Sequence, residues 1–108
     1  MPEPRRAVLW SCEALSQLNE IWYYYFRVAG SNEADSMLRE IGKVVALIEH
    51  HHLAGRCRDE VRAGLRSIAS IAISPHVVFY RLMGGRPQII RLLDGRRDID
   101  EIFAESGA

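Results

Sequence analysis

Lysine is all but missing from this chain: of fourteen basic residues, only Lys43 is a lysine and the other thirteen are arginines. Lysine is the cation most readily tuned by burial into a catalytic base, whereas arginine keeps its charge and binds through its planar fork. The scarcity therefore tilts the reading towards binding and away from proton transfer. Cysteine is scarce too. Cys12 and Cys57 are too few and too far apart for a metal knuckle and, with no signal peptide, read as reduced thiols of a cytoplasmic protein. No apolar run approaches the ~20 residues that cross a bilayer, so no membrane partner is expected. Net charge is absent as well, because fourteen acidic side chains cancel the fourteen basic ones. The total gives no push towards nucleic acid or lipid.

What is present is unevenly placed. Positions 55 to 97 hold nine arginines against Asp59, Glu60 and Asp94, a local excess of six positive charges, and positions 98 to 108 answer with Asp98, Asp100, Glu101 and Glu105. The 108 residues, 48% hydrophobic, make one domain, 1–108, with one modest core. The triplet His50, His51 and His52 invites a metal, but consecutive helical residues point about 100° apart and cannot converge on one ion. No metal or other cofactor is expected.

The order of elements follows from periodicity. The run Ala7-Val8-Leu9-Trp10 suits a short strand, and Ser11 suits a helix cap with Glu13 in the first turn. Ala14, Leu15, Leu18, Ile21, Trp22, Tyr25 and Phe26 then recur at helical spacing, which leaves Tyr23 or Tyr24 off the buried face. Gly30 stops this helix, Ser31 or Asn32 caps a second, and Ala34, Leu38, Ile41, Val45 and Ile48 form its apolar stripe. The polar stretch 53–64 reads as a loop. The runs 65–73, 76–82 and 87–94, rich in branched and aromatic residues, read as strands, the last two joined by a hairpin through Met83-Gly84-Gly85-Arg86. Asp98 with Glu101 suits a capping box before a short amphipathic turn built on Ile99, Ile102 and Phe103. The sum is an α+β domain, a helical hairpin packed on a small antiparallel sheet in the order β-α-α-β-β-β with a short final helix. A sheet in so small a chain is expected to leave one face uncovered, carrying Phe79, Ile89 and Leu93 among Arg81 and Arg91. Apolar groups mixed with arginine have the composition of an interface.

In that order and spacing, the segments GRCRDEVRAGLRS, HVVFYRL and IIRLLDGRRD resemble the ParE branch of the RelE/ParE superfamily, the toxic halves of bacterial type II toxin-antitoxin systems. The resemblance runs from Leu15 to about Phe103. It implies one of two functions. ParE-like members poison DNA gyrase without cutting anything themselves and are neutralised by a ParD-like antitoxin. RelE-like members are ribosome-dependent messenger endoribonucleases, which gather lysines and arginines around the scissile phosphate and use a late tyrosine or similar group for proton transfer. Here the nuclease reading finds Arg62, Arg66 and Arg97 but no lysine, Val77 where a central arginine is expected, and Phe103 about where the tyrosine would stand. The resemblance therefore implies a gyrase poison, with Arg81, Arg91, Arg96 and Arg97 as target contacts and Tyr24, Phe79, Ile89 and Leu93 as antitoxin contacts. No direct sequence-specific DNA binding is expected of the chain alone.

Overall fold

The computed structural model describes residues 8–69, 76–94 and 98–106. A two-residue strand, β1 (Leu9–Trp10), leads into α1 (Cys12–Ala29) and α2 (Ser31–His50), followed by β2 (Arg56–Cys57), β3 (Arg66–Ala69), β4 (His76–Met83), β5 (Arg86–Asp94) and α3 (Ile99–Ser106). The five strands lie in the order β1-β5-β4-β3-β2. All neighbours are antiparallel except β1, which runs parallel to β5 with Leu9 opposite Gln88 and Trp10 opposite Ile89. The expected elements are present. Two details are new: β2 turns part of the expected loop into an edge strand, and β3 ends at Ala69, the rest of the expected run lying outside the described residues.

Local chemistry explains the boundaries. The Ser11 hydroxyl accepts the Ala14 N–H at 3.0 Å and so caps α1. Gly30, at φ +92°, takes a positive-φ conformation open chiefly to glycine and so ends α1, and its own N–H donates to the Phe26 carbonyl at 3.0 Å. α2 begins at once, with Gly30 rather than Ser31 or Asn32 as its cap residue and no side-chain cap bond. The hairpin turns through Gly84 and Gly85, both at positive φ. Asp98 accepts the Glu101 N–H at 3.1 Å, as a capping residue should.

The sheet separates two cores. On one side Val78, Tyr80, Ile89 and Leu92 pack with Ala14, Ile21, Met37, Ile41 and Ile48 of the helical hairpin. On the other, Leu65, Phe79, Ile90, Leu93 and Phe103 form a second cluster, flanked by Val61, Val77, Ile99 and Ile102. This corrects the expectation of an uncovered apolar face. α3 and the turn before β3 fold back over it, and Phe103 meets Phe79 edge to face at 5.3 Å between ring centres. Leu15 and Phe26, assigned to the buried stripe of α1 by periodicity, are instead exposed, with Phe26 stacked on Trp22.

One irregularity sorts the side chains. Pairing of β4 with β5 slips between Phe79 and Tyr80: Tyr80 faces Ile89, Phe79 faces Arg91, and Ile90 is the extra residue of a β-bulge. Strict alternation would place Ile89 and Arg91 on one face. The bulge sends Ile89 to the helices and turns Arg91 to the opposite side, together with Ile90 and Leu93.

Candidate functional site

Three arginines from separate elements meet on the face opposite the helical hairpin. Arg81 lies on β4, paired with Gln88, and the bulge brings Arg91 of β5 to the same side. Arg62 comes from the turn before β3, which is closed by Val61 N–H and Arg62 N–H donating to the Arg58 carbonyl and by Leu65 N–H donating to the Arg62 carbonyl. Asp59 holds the same turn by accepting the Gly64 N–H at 2.8 Å, Gly64 being at φ +79°. The Arg62 guanidinium then lies over the Phe103 ring, 5.2 Å from its centre, a cation–π arrangement on a buried aromatic.

Together with Ser11, Glu13, Gln88 and Ile90, these arginines line a recess of about 190 Å³. Its electrostatics are those of concentrated positive charge. Burial first, and then the Arg81 and Arg91 charges, push the Arg62 guanidinium below its ordinary value. Arg91 is nearly covered and approaches one carboxylate, Glu13 of the first turn of α1, at 3.6 Å. The Arg81 Nε is buried and has no acceptor among the described residues. Such a set can hold an oxyanion by charge-assisted hydrogen bonds. Glu13 also lines a more open hollow of about 420 Å³, with Cys12, Ser16, Gln17 and Glu20.

The recess cuts across the residues expected from sequence. It joins Arg81 and Arg91, expected as target contacts, to Arg62, expected for nucleolysis. Arg66 is elsewhere: paired with Tyr80 on the helix side of the sheet, it donates from Nη1 to the carbonyls of Gly55 at 2.7 Å and Leu53 at 3.3 Å, holding the loop after α2. Glu60, from the turn before β3, pairs with Arg58 at 2.7 Å. Arg96 and Arg97 lie outside the described residues. Tyr24 is exposed as expected, but Phe79, Ile89 and Leu93 are buried to within 2% and offer a partner no surface. For Phe79 and Leu93 the cover is α3 and the turn before β3, and for Ile89 it is the helical hairpin.

Sequence reasoning missed Arg58, Glu13 and Gln88. Arg58 stacks over Phe79 at 5.6 Å and donates to the Ser67 hydroxyl. Glu13 was legible only as a first-turn acid. Its meeting with Arg91 depends on the parallel seat of β1 on β5, for which no local pattern exists.

With this geometry in view, comparison with known proteins is decisive about family. Residues 8–99 match the sequence model of the ParE toxin of the type II toxin-antitoxin system, parDE. Toxin ParE1 of Mycobacterium tuberculosis (strain H37Rv) is 32% identical over 93 residues, covering 85% of this chain and 92% of the relative. Toxin ParE1 of Caulobacter vibrioides is 37% identical over 83 residues, covering 77% of this chain and 82% of the relative. Among solved structures, one described as the chromosomal ParDE TA system from P. aeruginosa superposes with a TM-score of 0.69 at 22% identity, covering 79% of this chain and 90% of that one. A YoeB/ParE toxin from Agrobacterium tumefaciens superposes with a TM-score of 0.53 at 17% identity, covering 79% and 93%. These two structures speak for the fold, and the sequence matches, which span most of the chain, go further: the protein belongs to the ParE family of type II toxin-antitoxin toxins.

Proposed function

We propose that this toxin acts by binding: it engages DNA gyrase in the cytoplasm, breaks no bond itself, and is silenced by a ParD-type antitoxin. The observation that carries the reading is Phe103. It sits under Arg62 and against Phe79, where a nuclease of this superfamily is expected to keep a proton-transferring group, and a phenyl ring exchanges no proton. Tyr80 does not substitute for it. It faces the helices, its hydroxyl donates to the His52 carbonyl at 2.7 Å and accepts the Gly55 N–H at 2.8 Å, and burial raises its pKa. The arginine recess is thus equipped to hold charge and poorly equipped to move protons. Exposed Tyr23, Tyr24, Phe26 and Val28 along α1 supply apolar surface for the antitoxin, with Tyr24 the contact retained from the sequence reading.

The test adds purified toxin to gyrase with supercoiled plasmid, and separately to an in vitro translation reaction in which the messenger is mapped for cuts. Linearised plasmid with intact message is the expected result. Intact plasmid with cleaved message would replace this reading by the nuclease one.

A further inference from the structure

Resting on the toxin reading, we propose that the recess between Arg62, Arg81 and Arg91 is a receptor for one acidic side chain, a glutamate or aspartate presented by the antitoxin, and that Glu13 is the chain's own occupant of that place. Three features carry it. First, the ion pair at the recess is loose: Arg91 is met by Glu13 at 3.6 Å, and the Glu13 side chain is 61% exposed. A contact so long and so wet is a weak hold. Second, the buried Arg81 Nε–H reaches no acceptor among the described residues, and a buried donor left unpaired costs free energy that an incoming carboxylate would recover. Third, the recess is the size of a side chain. Its volume is about 190 Å³, the Arg91 side chain is only 11% exposed, and the Arg81 Nε is fully covered. A carboxylate on a stem of one or two methylenes can enter such a place. A phosphate carried on a nucleic-acid backbone brings sugars on both sides and meets the rim before it meets Arg81.

Binding exchanges one carboxylate for another. Glu13 swings away from Arg91 into solvent, the partner's carboxylate takes a bidentate position on Arg91 and accepts from the Arg81 Nε–H, and no proton moves. Glu13 thereby sets a threshold, since the partner must compete with a tethered carboxylate.

The experiment observes the arginine Nε–Hε signals of the full chain labelled with ¹⁵N, with the Arg81 signal assigned by its loss in Arg81→Lys. A hexaglutamate peptide is expected to shift that signal saturably, and a hexaglutamine peptide to leave it in place. Glu13→Gln, which removes the competitor's charge, should tighten hexaglutamate binding about two- to fivefold. Arg81→Gln should weaken it ~10-fold or more. If Arg81→Gln does not fold, the wild-type signal and Glu13→Gln decide the matter by themselves. An unmoved Arg81 signal at saturating hexaglutamate, or unchanged affinity in Glu13→Gln, overturns the proposal. So does a larger response to inorganic phosphate or to a short single-stranded oligonucleotide, which would assign the recess to a phosphate. A second arm mixes a ParD-type antitoxin with wild type and with folded Arg81→Gln. Weaker capture by the variant supports the proposal, equal capture sinks it alone, and no capture by wild type removes the proposed ParD-type partnership beneath it.

Discussion

At Gly55 a single hydrogen atom is all the space allows. A Cβ there would lie 2.6 Å from Cε1 and 2.7 Å from the hydroxyl oxygen of Tyr80, the largest fully buried side chain. Gly55→Ala must therefore push a packed ring or its own backbone, at ~1 to 3 kcal/mol. Tyr80→Phe costs about as much by a different route, losing the bonds to His52 and Gly55 and leaving the buried Gly55 N–H unpaired. Because Cε1 survives in phenylalanine, the second change does not rescue the first. Urea midpoints of both single variants and the double variant check this, and full recovery of Gly55→Ala when combined with Tyr80→Phe would refute the packing account. Arginine follows a different rule. If recognition is the function, replacement of Arg81 or Arg91 by Lys keeps charge but loses the fork, and toxicity falls in graded steps equivalent to ~1 to 2 kcal/mol of target affinity. Colony survival on induction, normalised to soluble protein, measures it. Abrupt detoxification by Arg66→Lys with Arg81→Lys and Arg91→Lys fully lethal would contradict it, since Arg66 binds carbonyls of its own chain.

Among the elements, the most economical joint is the start of α1. Ser11 caps the helix through its acceptor and, with its proton, bonds the Ile90 carbonyl at 2.8 Å, while its own N–H reaches the Ile89 carbonyl at 2.9 Å. Further along the helix the Gln17 side-chain oxygen Oε1 accepts the Leu92 N–H at 2.8 Å. α1 thus continues along the edge of β5 the ladder that two-residue β1 begins. Ser11→Ala should cost about 1 to 2 kcal/mol and, in hydrogen exchange, should loosen the amides of α1's first turn and of β5 together. Loosening confined to α1 would mean that Ser11 is only a cap. Here the limits of sequence reading are plain. The cap of α1, the hairpin at Gly84–Gly85 and the stop at Gly30 were legible because each is decided within a few residues. The fate of the second sheet face was not, because it depends on a bulge at Ile90 and on α3 folding back, and alternation along β5 gives no sign of either. The same bulge hid the site: it separates Ile89 from Arg91, which strict period two keeps together. Phe103→Ala tests the cover directly. Removing a ring that is 4% exposed from the Phe79 cluster should destabilise the chain by ~3 to 5 kcal/mol. A loss below about 1 kcal/mol would mean that α3 is not part of the folded core.

For the molecule as a whole, titration bounds the range of stability from both sides. Asp59, held chiefly by the Cys57 thiol and then by the Gly64 N–H, and Glu60, held chiefly by Arg58, have carboxyl pKa values lowered from 3.8 and 4.5. Folded values below unfolded ones give stability that is present above those ordinary values and lost as pH falls through the lowered ones. Tyr80 acts in the opposite sense. Burial raises it above 10.0, so its contribution is present below pH 10 and lost as pH rises through the raised folded value. Melting temperature against pH should show a plateau with a fall at each end, the acid limb shallower in Asp59→Asn and the alkaline limb shallower in Tyr80→Phe. Limbs unchanged in both variants would place the titration elsewhere.

The parallel seat of β1 also sets a schedule. Ser11 and Ile90 are bonded across 79 positions of sequence, so a chain growing from its amino end makes the first strand long before that strand has a neighbour to pair with. β4 and β5 can close on each other as soon as their hairpin is synthesised, but β1 and the head of α1 must wait for them. The recess is built from both ends of this wait, with Ser11 and Glu13 early and Gln88, Ile90 and Arg91 late. A nascent toxin therefore has no finished arginine recess until Arg91 has been made, and completion of the site coincides with closure of the sheet.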